Sequence, residues 1–124
     1  MKKRKVRVFL IDGSRLFVEA FIFLCKRDKK MSVVGFSLTG EGILPELRRK
    51  KPNMVIIDVA VVGIDGLALV RSISSEFKST KVMVLSLYDT PELVEQALQS
   101  GACAFLVKGI SGQKILETIC QIMS

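Results

Sequence analysis

A doubly wound α/β sandwich built on a five-stranded parallel sheet is the fold this sequence predicts, on three observations. Five short segments rich in Val, Ile and Leu are nearly continuous in hydrophobicity, as strands covered on both faces must be. Between them, apolar residues recur at helical spacing. The strand–helix alternation repeats five times through 124 residues without an internal repeat, linker or low-complexity stretch. That leaves a single domain over 1–124 with helices on both faces of the sheet.

Each element can be read in turn. VRVFLI (6–11) is the first strand, and Leu16, Phe17, Ala20, Phe21 and Leu24 then fall on one helical face. SVVGFSL (32–38) is the second strand. A helix around 41–50 follows, in which Pro45 belongs to the first turn or else delays or kinks the helix. MVII (54–57) is the third strand, followed by a helical stripe of Leu67, Val70, Ile73 and Phe77. KVMVLSL (81–87) is the fourth. Asp89 or Thr90 ahead of Pro91 and Glu92 marks the next helix start, and Gly101 suits its end. AFLV (104–107) is the fifth strand, and Ser111 caps a last helix ending near Met123.

Composition removes several function classes. With 49% hydrophobic residues the chain can bury a core, yet no apolar run approaches the ~20 residues that span a bilayer. The basic opening MKKRKVRVFLID has too short an apolar run, and no small-residue cleavage site, for a secretory signal. Cys25, Cys103 and Cys120 are odd in number and widely spaced. They read as reduced core residues of a cytoplasmic protein, without zinc-site spacing. Histidine is absent, which excludes Ser-His-Asp catalysis, His-based metal sites and phosphohistidine on this chain.

In doubly wound sheets the ligand crevice lies at the carboxyl ends of the strands. There the first strand delivers Asp12, the third Asp58, the fourth Ser86 and the fifth Lys108. Singly, each has an ordinary reading: a turn or cap acid, a strand-end hydroxyl, a solvated lysine. Together they could hold a cation and a phosphoryl group, since a carboxylate can attack phosphorus to give an aspartyl phosphate. A metal would offset charge on the phosphoryl oxygens, and Lys108 and Ser86 could pair with the others.

With those residues in hand, the sequence resembles the receiver domains of two-component response regulators from Val6 to Met123. LIDGSRLFVEAF is similar to the opening of receivers attached to LuxR/NarL-type output domains, and NMVIIDVAVVGIDGLALV to the phosphoacceptor strand and its loop. VMVLSLYDTPELVEQALQSGACAFLVK is similar to the segment that runs from the switch hydroxyl to the lysine. The resemblance implies strand order 2-1-3-4-5 and flavodoxin-like topology. It also implies Asp58 as phosphoacceptor, Ser86 and Lys108 as its partners, and Ser86 with Phe105 as the switch pair. Mg²⁺ would be held by Asp12, Asp58 and the Ala60 backbone carbonyl. The implied partners are a histidine kinase, a second copy of the chain through the face of the fourth helix, fifth strand and fifth helix, and an output DNA-binding domain or partner protein. The implied role is that of a signalling acceptor, not an enzyme. An aspartyl-phosphate hydrolase is disfavoured, because no second acid stands two residues after a nucleophile on the first strand.

The likeness has three gaps. Receivers end their first strand with two consecutive acids, whereas here Asp12 is followed by Gly13. Magnesium uses one or two carboxylates plus waters, so losing one charge predicts weak metal binding and slow phosphotransfer. The loop from Val59 to Gly66 lacks the usual Met-Pro, which predicts a looser loop. Gly109 follows Lys108 where an acid or proline is common. The alternative to a slow phosphoreceiver is a phosphorylation-independent pseudo-receiver acting as an interaction module.

Charge is the remaining feature. Lys and Arg number 19 against 12 Asp and Glu, for a net +7. On the predicted fold most cations gather at the end opposite the crevice: Lys2–Lys5 and Arg7, then Lys26, Arg27, Lys29 and Lys30, Arg48–Lys51, and Lys78 with Lys81. Helix-dipole complementation and solubility are the first reading of this distribution. A patch for nucleic acid, anionic lipid or an acidic partner is the alternative.

Overall fold

The computed structural model describes residues 5–61 and 65–124. Its elements are β1 (Val6–Ile11), α1 (Arg15–Lys26), β2 (Met31–Ser37), α2 (Ile43–Lys50), β3 (Met54–Asp58), α3 (Gly66–Glu76), β4 (Lys81–Ser86), α4 (Pro91–Gln99), β5 (Ala104–Val107) and α5 (Gly112–Met123). The strands form one sheet in the order β2-β1-β3-β4-β5, every pair parallel. Fold class and strand order are those the sequence and its resemblance imply.

Alternation along each strand builds two cores. Val8 and Leu10 of β1, Met54 and Ile56 of β3, and Met83 and Leu85 of β4 face α1 and α5, where Val18, Phe21, Ile115 and Ile119 complete the layer. The intervening residues, Phe9 and Ile11, Val55 and Ile57, Val82 and Val84, face Ile43 and Leu47 of α2, Val70 and Ile73 of α3, and Ala97 of α4. Strands buried on both sides have no polar face to show, hence their continuous hydrophobicity. Each such aliphatic side chain contributes about 1.5–3 kcal/mol by leaving water.

Local chemistry sets the boundaries. Ser14, Asp65, Thr90 and Ser111 each accept a backbone N–H in the first turn of α1, α3, α4 and α5. Pro45 sits within the first turn of α2, where its missing N–H costs nothing, behind Gly42 at φ 63°. Between β1 and β2 the register skips a residue, so that Phe9 pairs with Gly35. A Cβ on Gly35 would stand 2.6 Å from the Phe9 ring, so the irregularity and the glycine together admit the large side chain.

Several expectations need correction. The second strand begins at Met31 and stops before Leu38; the third includes Asp58; the fourth stops at Ser86, leaving Leu87 63% exposed. On α1 the stripe is turned from the expected one. Val18, Phe21 and Cys25 are buried while Leu16, 78% exposed, and Ala20 face solvent. A 3.6-residue period fixes a stripe's width but not which of two adjoining residues edges it. Cys103 is not a core residue: it precedes β5 at the sheet's lower rim and is exposed, while Cys120 is half-buried. All three cysteines are free thiols. Of the loop after Asp58, Val62–Ile64 lie outside the described residues, as do Lys2–Arg4. Among the described residues no helix is long and apolar enough to cross a membrane.

Candidate functional site

Register places the four predicted side chains in a row. Ile11 pairs with Ile57, Asp58 with Leu85, and Ser86 with Val107, so Asp12, Asp58, Ser86 and Lys108 leave four adjacent strands at nearly one level. Lys108 stands two strands from β3 and three from β1. At ~4.8 Å per strand the gap is roughly 10 Å to the strand of Asp58 and about 14 Å to that of Asp12, which the lysine stem must close together with the acids' own side chains. It does so, donating from Nζ to Asp58 Oδ2 at 2.8 Å and to Asp12 Oδ1 at 2.9 Å.

The two carboxylates are built alike. Asp12 Oδ1 accepts the Ser14 amide at 2.8 Å, and Asp58 Oδ1 accepts the Ala60 amide at 2.9 Å. Each acid thus closes a turn two residues onward and spends one oxygen on it. The ordinary turn role of Asp12 and its place in the crevice are therefore both real. Asp12 and Asp58 are 2% and 8% exposed. Asp12 Oδ2 is buried without a hydrogen bond; the Lys108 ammonium faces it at 2.8 Å but at an angle that serves Oδ1.

Electrostatics favour the charged lysine. Burial lowers the Lys108 pKa, but hydrogen bonds and charge from Asp12 and Asp58 outweigh that, and the net direction is upward. Phe17 of α1 adds its ring face 5.1 Å from Nζ and stacks on Phe21 at 6.0 Å. Phe17 was legible only as a core residue, because its contact with Lys108 joins positions far apart in the chain.

Ser86 is buried, and its Oγ accepts the Tyr88 amide at 3.1 Å. Its carbonyl accepts the Lys108 amide, which fixes the start of the lysine side chain. Phe105 is half-buried in the layer of Val84, Ala97 and Ala102. Ala60 is exposed. Gly109 has φ 112°, a conformation closed to proline and strained for an acid, which accounts for the departure after Lys108. Gly13 is different: a Cβ there would meet only the Leu38 carbonyl at 3.6 Å, an ordinary contact. The backbone does not require a glycine at this position.

Comparison with known proteins gives this geometry its class. The profile of the response regulator receiver domain matches residues 8–120, and the chain belongs to that family. It is 29% identical to the uncharacterized transcriptional regulatory protein YxjL of Bacillus subtilis, covering 96% of this chain and 55% of the relative. It is 30% identical to the probable transcriptional regulatory protein NarL of Mycobacterium tuberculosis, covering 93% and 53%. The chain thus spans about half the length of these curated relatives. Among solved structures, the signal receiver domain of NarL from M. tuberculosis superposes with TM-score 0.89 at 29% identity, over 98% of both chains. A response regulator from Thermotoga maritima gives 0.85 at 29% identity, over 96% of this chain and 98% of the other.

Proposed function

We propose that this receiver domain works in the cytoplasm, accepts a phosphoryl group on Asp58 from a histidine kinase and passes the signal on by repacking. One observation carries the reading: an ammonium 2.8–2.9 Å from two buried carboxylates that arrive on separate strands. In the transfer, an Asp58 carboxylate oxygen attacks phosphorus and the bond to the donor breaks, leaving an acyl phosphate. Lys108 then moves from carboxylate to phosphoryl oxygen, and the Ser86 hydroxyl turns from the Tyr88 amide to donate to another. The space Ser86 vacates admits Phe105, which repacks the face of α4, β5 and α5 for a second copy, an output DNA-binding domain or a partner protein. This is a shift between two packings biased by one new charge.

The donor set fits a weakly held Mg²⁺. Asp12 has a buried oxygen without a hydrogen bond, Asp58 lies beside it, and the Ala60 carbonyl would complete the protein's share. When bound, the ion would offset charge on the phosphoryl oxygens.

Incubation with acetyl phosphate and excess Mg²⁺ should add one phosphoryl mass slowly, and Asp58→Asn should abolish the addition. No addition at all would sink the reading. Gly13→Asp, which the open space permits, should raise Mg²⁺ affinity about tenfold by calorimetry and speed the addition. Gly13 also favours a second reading, a phosphorylation-independent interaction module. Absence of Mg²⁺ binding at millimolar levels would select it.

A further inference from the structure

We propose that the basic rim at the starts of β1 to β4 is a sequence-independent binding surface for the phosphate backbone of duplex DNA.

The rim is continuous. The Val6 amide bonds the Lys30 carbonyl, the Asn53 amide bonds the Arg7 carbonyl, and the Lys81 amide bonds the Asn53 carbonyl, so four strand starts stand in a row. Arg7 ties the row to α2 by donating to the carbonyls of Lys50 and Lys51 at 2.5 and 3.4 Å. Three acids lie among these cations. Glu76 holds Arg48, Glu46 lies 3.7 Å from Arg49, and Asp28 accepts the Lys30 amide. Among the described residues Lys26, Lys29, Lys30, Lys51, Lys78 and Lys81 make no ion pair, and all six are exposed.

Helix dipoles account for only part of this density. The last turn of α2 contains Arg48, Arg49 and Lys50 and that of α1 contains Lys26, but that of α3 contains none, and Lys29, Lys30, Lys78 and Lys81 lie beyond the helices. A dipole's influence fades within the last turn. Concentrating like charges costs self-repulsion, which a polyanion would relieve.

The dimensions suit a duplex. Three strand spacings of ~4.8 Å make a rim of about 15 Å. Duplex DNA presents one charge per ~1.7 Å of axis, or about nine along that length. A lipid surface is the poorer fit, because among the described residues the exposed large apolar side chains form no cluster at the rim. Leu16, Phe36, Leu87 and Tyr88 lie toward the crevice end, Phe23 carries the Arg27 guanidinium 5.9 Å from its ring centre, and Leu98 stands singly near the end of α4. Discrete carboxylates are better held by arginine forks, and the fork of Arg48 is already engaged by Glu76. Hydrated lysines suit a dense, regular charge array.

The rim stands at the opposite end of β3 from Asp58, so binding is independent of the phosphoacceptor reading and survives its failure. The test is fluorescence anisotropy of a labelled random-sequence DNA duplex with the full chain, across a KCl titration. The chain should bind at low salt, with log K falling against log[KCl] at a slope of about −4. Combining Lys29→Gln, Lys30→Gln, Lys50→Gln and Lys51→Asn should weaken binding at least tenfold and flatten the slope; asparagine is chosen because residue 51 has φ 52°. Lys78→Gln with Lys81→Gln should weaken it less and serves if the first variant does not fold. Asp58→Asn should bind as the parent does. Equal binding by folded rim variants, failure to bind duplex, or retention on phosphatidylserine vesicles or polyglutamate in preference to duplex would each overturn the proposal.

Discussion

The two ends of the sheet handle charge in opposite ways. At the carboxyl end, Asp12, Asp58 and Lys108 are nearly dry, and each contact is short and directed. At the amino end, many exposed lysines share few acids, and Arg48–Glu76, the bidentate pair there, has side chains 53% and 35% exposed. Removing water makes single contacts decisive. Leaving water in place makes number and ionic strength decisive. A single substitution should therefore matter at the first end, while several are needed to matter at the second.

The largest effect expected is at Lys108. Lys108→Met leaves two buried carboxylates without their cation and should cost about 3 kcal/mol in urea unfolding at neutral pH, the low end for a broken buried pair because the lysine keeps some exposure. A loss under about 1 kcal/mol would erase the contrast between the ends. The pH dependence has a definite sign. Because the folded pKa of Lys108 is raised, its contribution is complete below the ordinary value of 10.5 and fades only as pH climbs through the higher folded value. Stability curves of parent and Lys108→Met should thus stay parallel through neutral pH and converge only in strong alkali.

Next comes Gly66, at the first position of α3 beneath the crevice. A Cβ there would lie 2.3 Å from the Val59 carbonyl oxygen and 2.5 Å from its Cα, both backbone atoms that cannot swing aside. Gly66→Ala should cost about 2 kcal/mol and disturb the turn that holds Asp58. Smallest is Glu76→Gln at the basic end. An exposed pair of this kind contributes little to stability, and added salt should shrink even that. A Glu76→Gln loss near that of Lys108→Met would mean that burial is not what separates the ends.

The strands at both extremes of the sequence, Val6–Ile11 and Ala104–Val107, were legible to the residue, because a run of aliphatics ends abruptly at a polar group. The same rule placed Asp12, Asp58, Ser86 and Lys108 at one level, since strand ends in a parallel sheet align. What sequence could not supply was rotation and reach. The turn of the α1 stripe that exposes Leu16 depends on how the helix meets β2 and α5. The ring of Phe17 over Lys108 joins positions on α1 and just past β5. Gly66 reads as a helix-start glycine until the path of Val59 is known. Asp65 caps α3, and the acid ahead of Gly-Leu-Ala-Leu-Val is the sequence signal for that role.

The paired turns at Asp12 and Asp58 constrain chemistry in a way neither acid reveals alone. With Asp58 Oδ1 bound to the backbone of Ala60, the oxygen left to meet an incoming group is the one Lys108 already grips. If Asp58 is the acceptor proposed above, its attacking oxygen and the lysine's latch are one contact, and the ammonium would pass to the arriving group as the new bond forms.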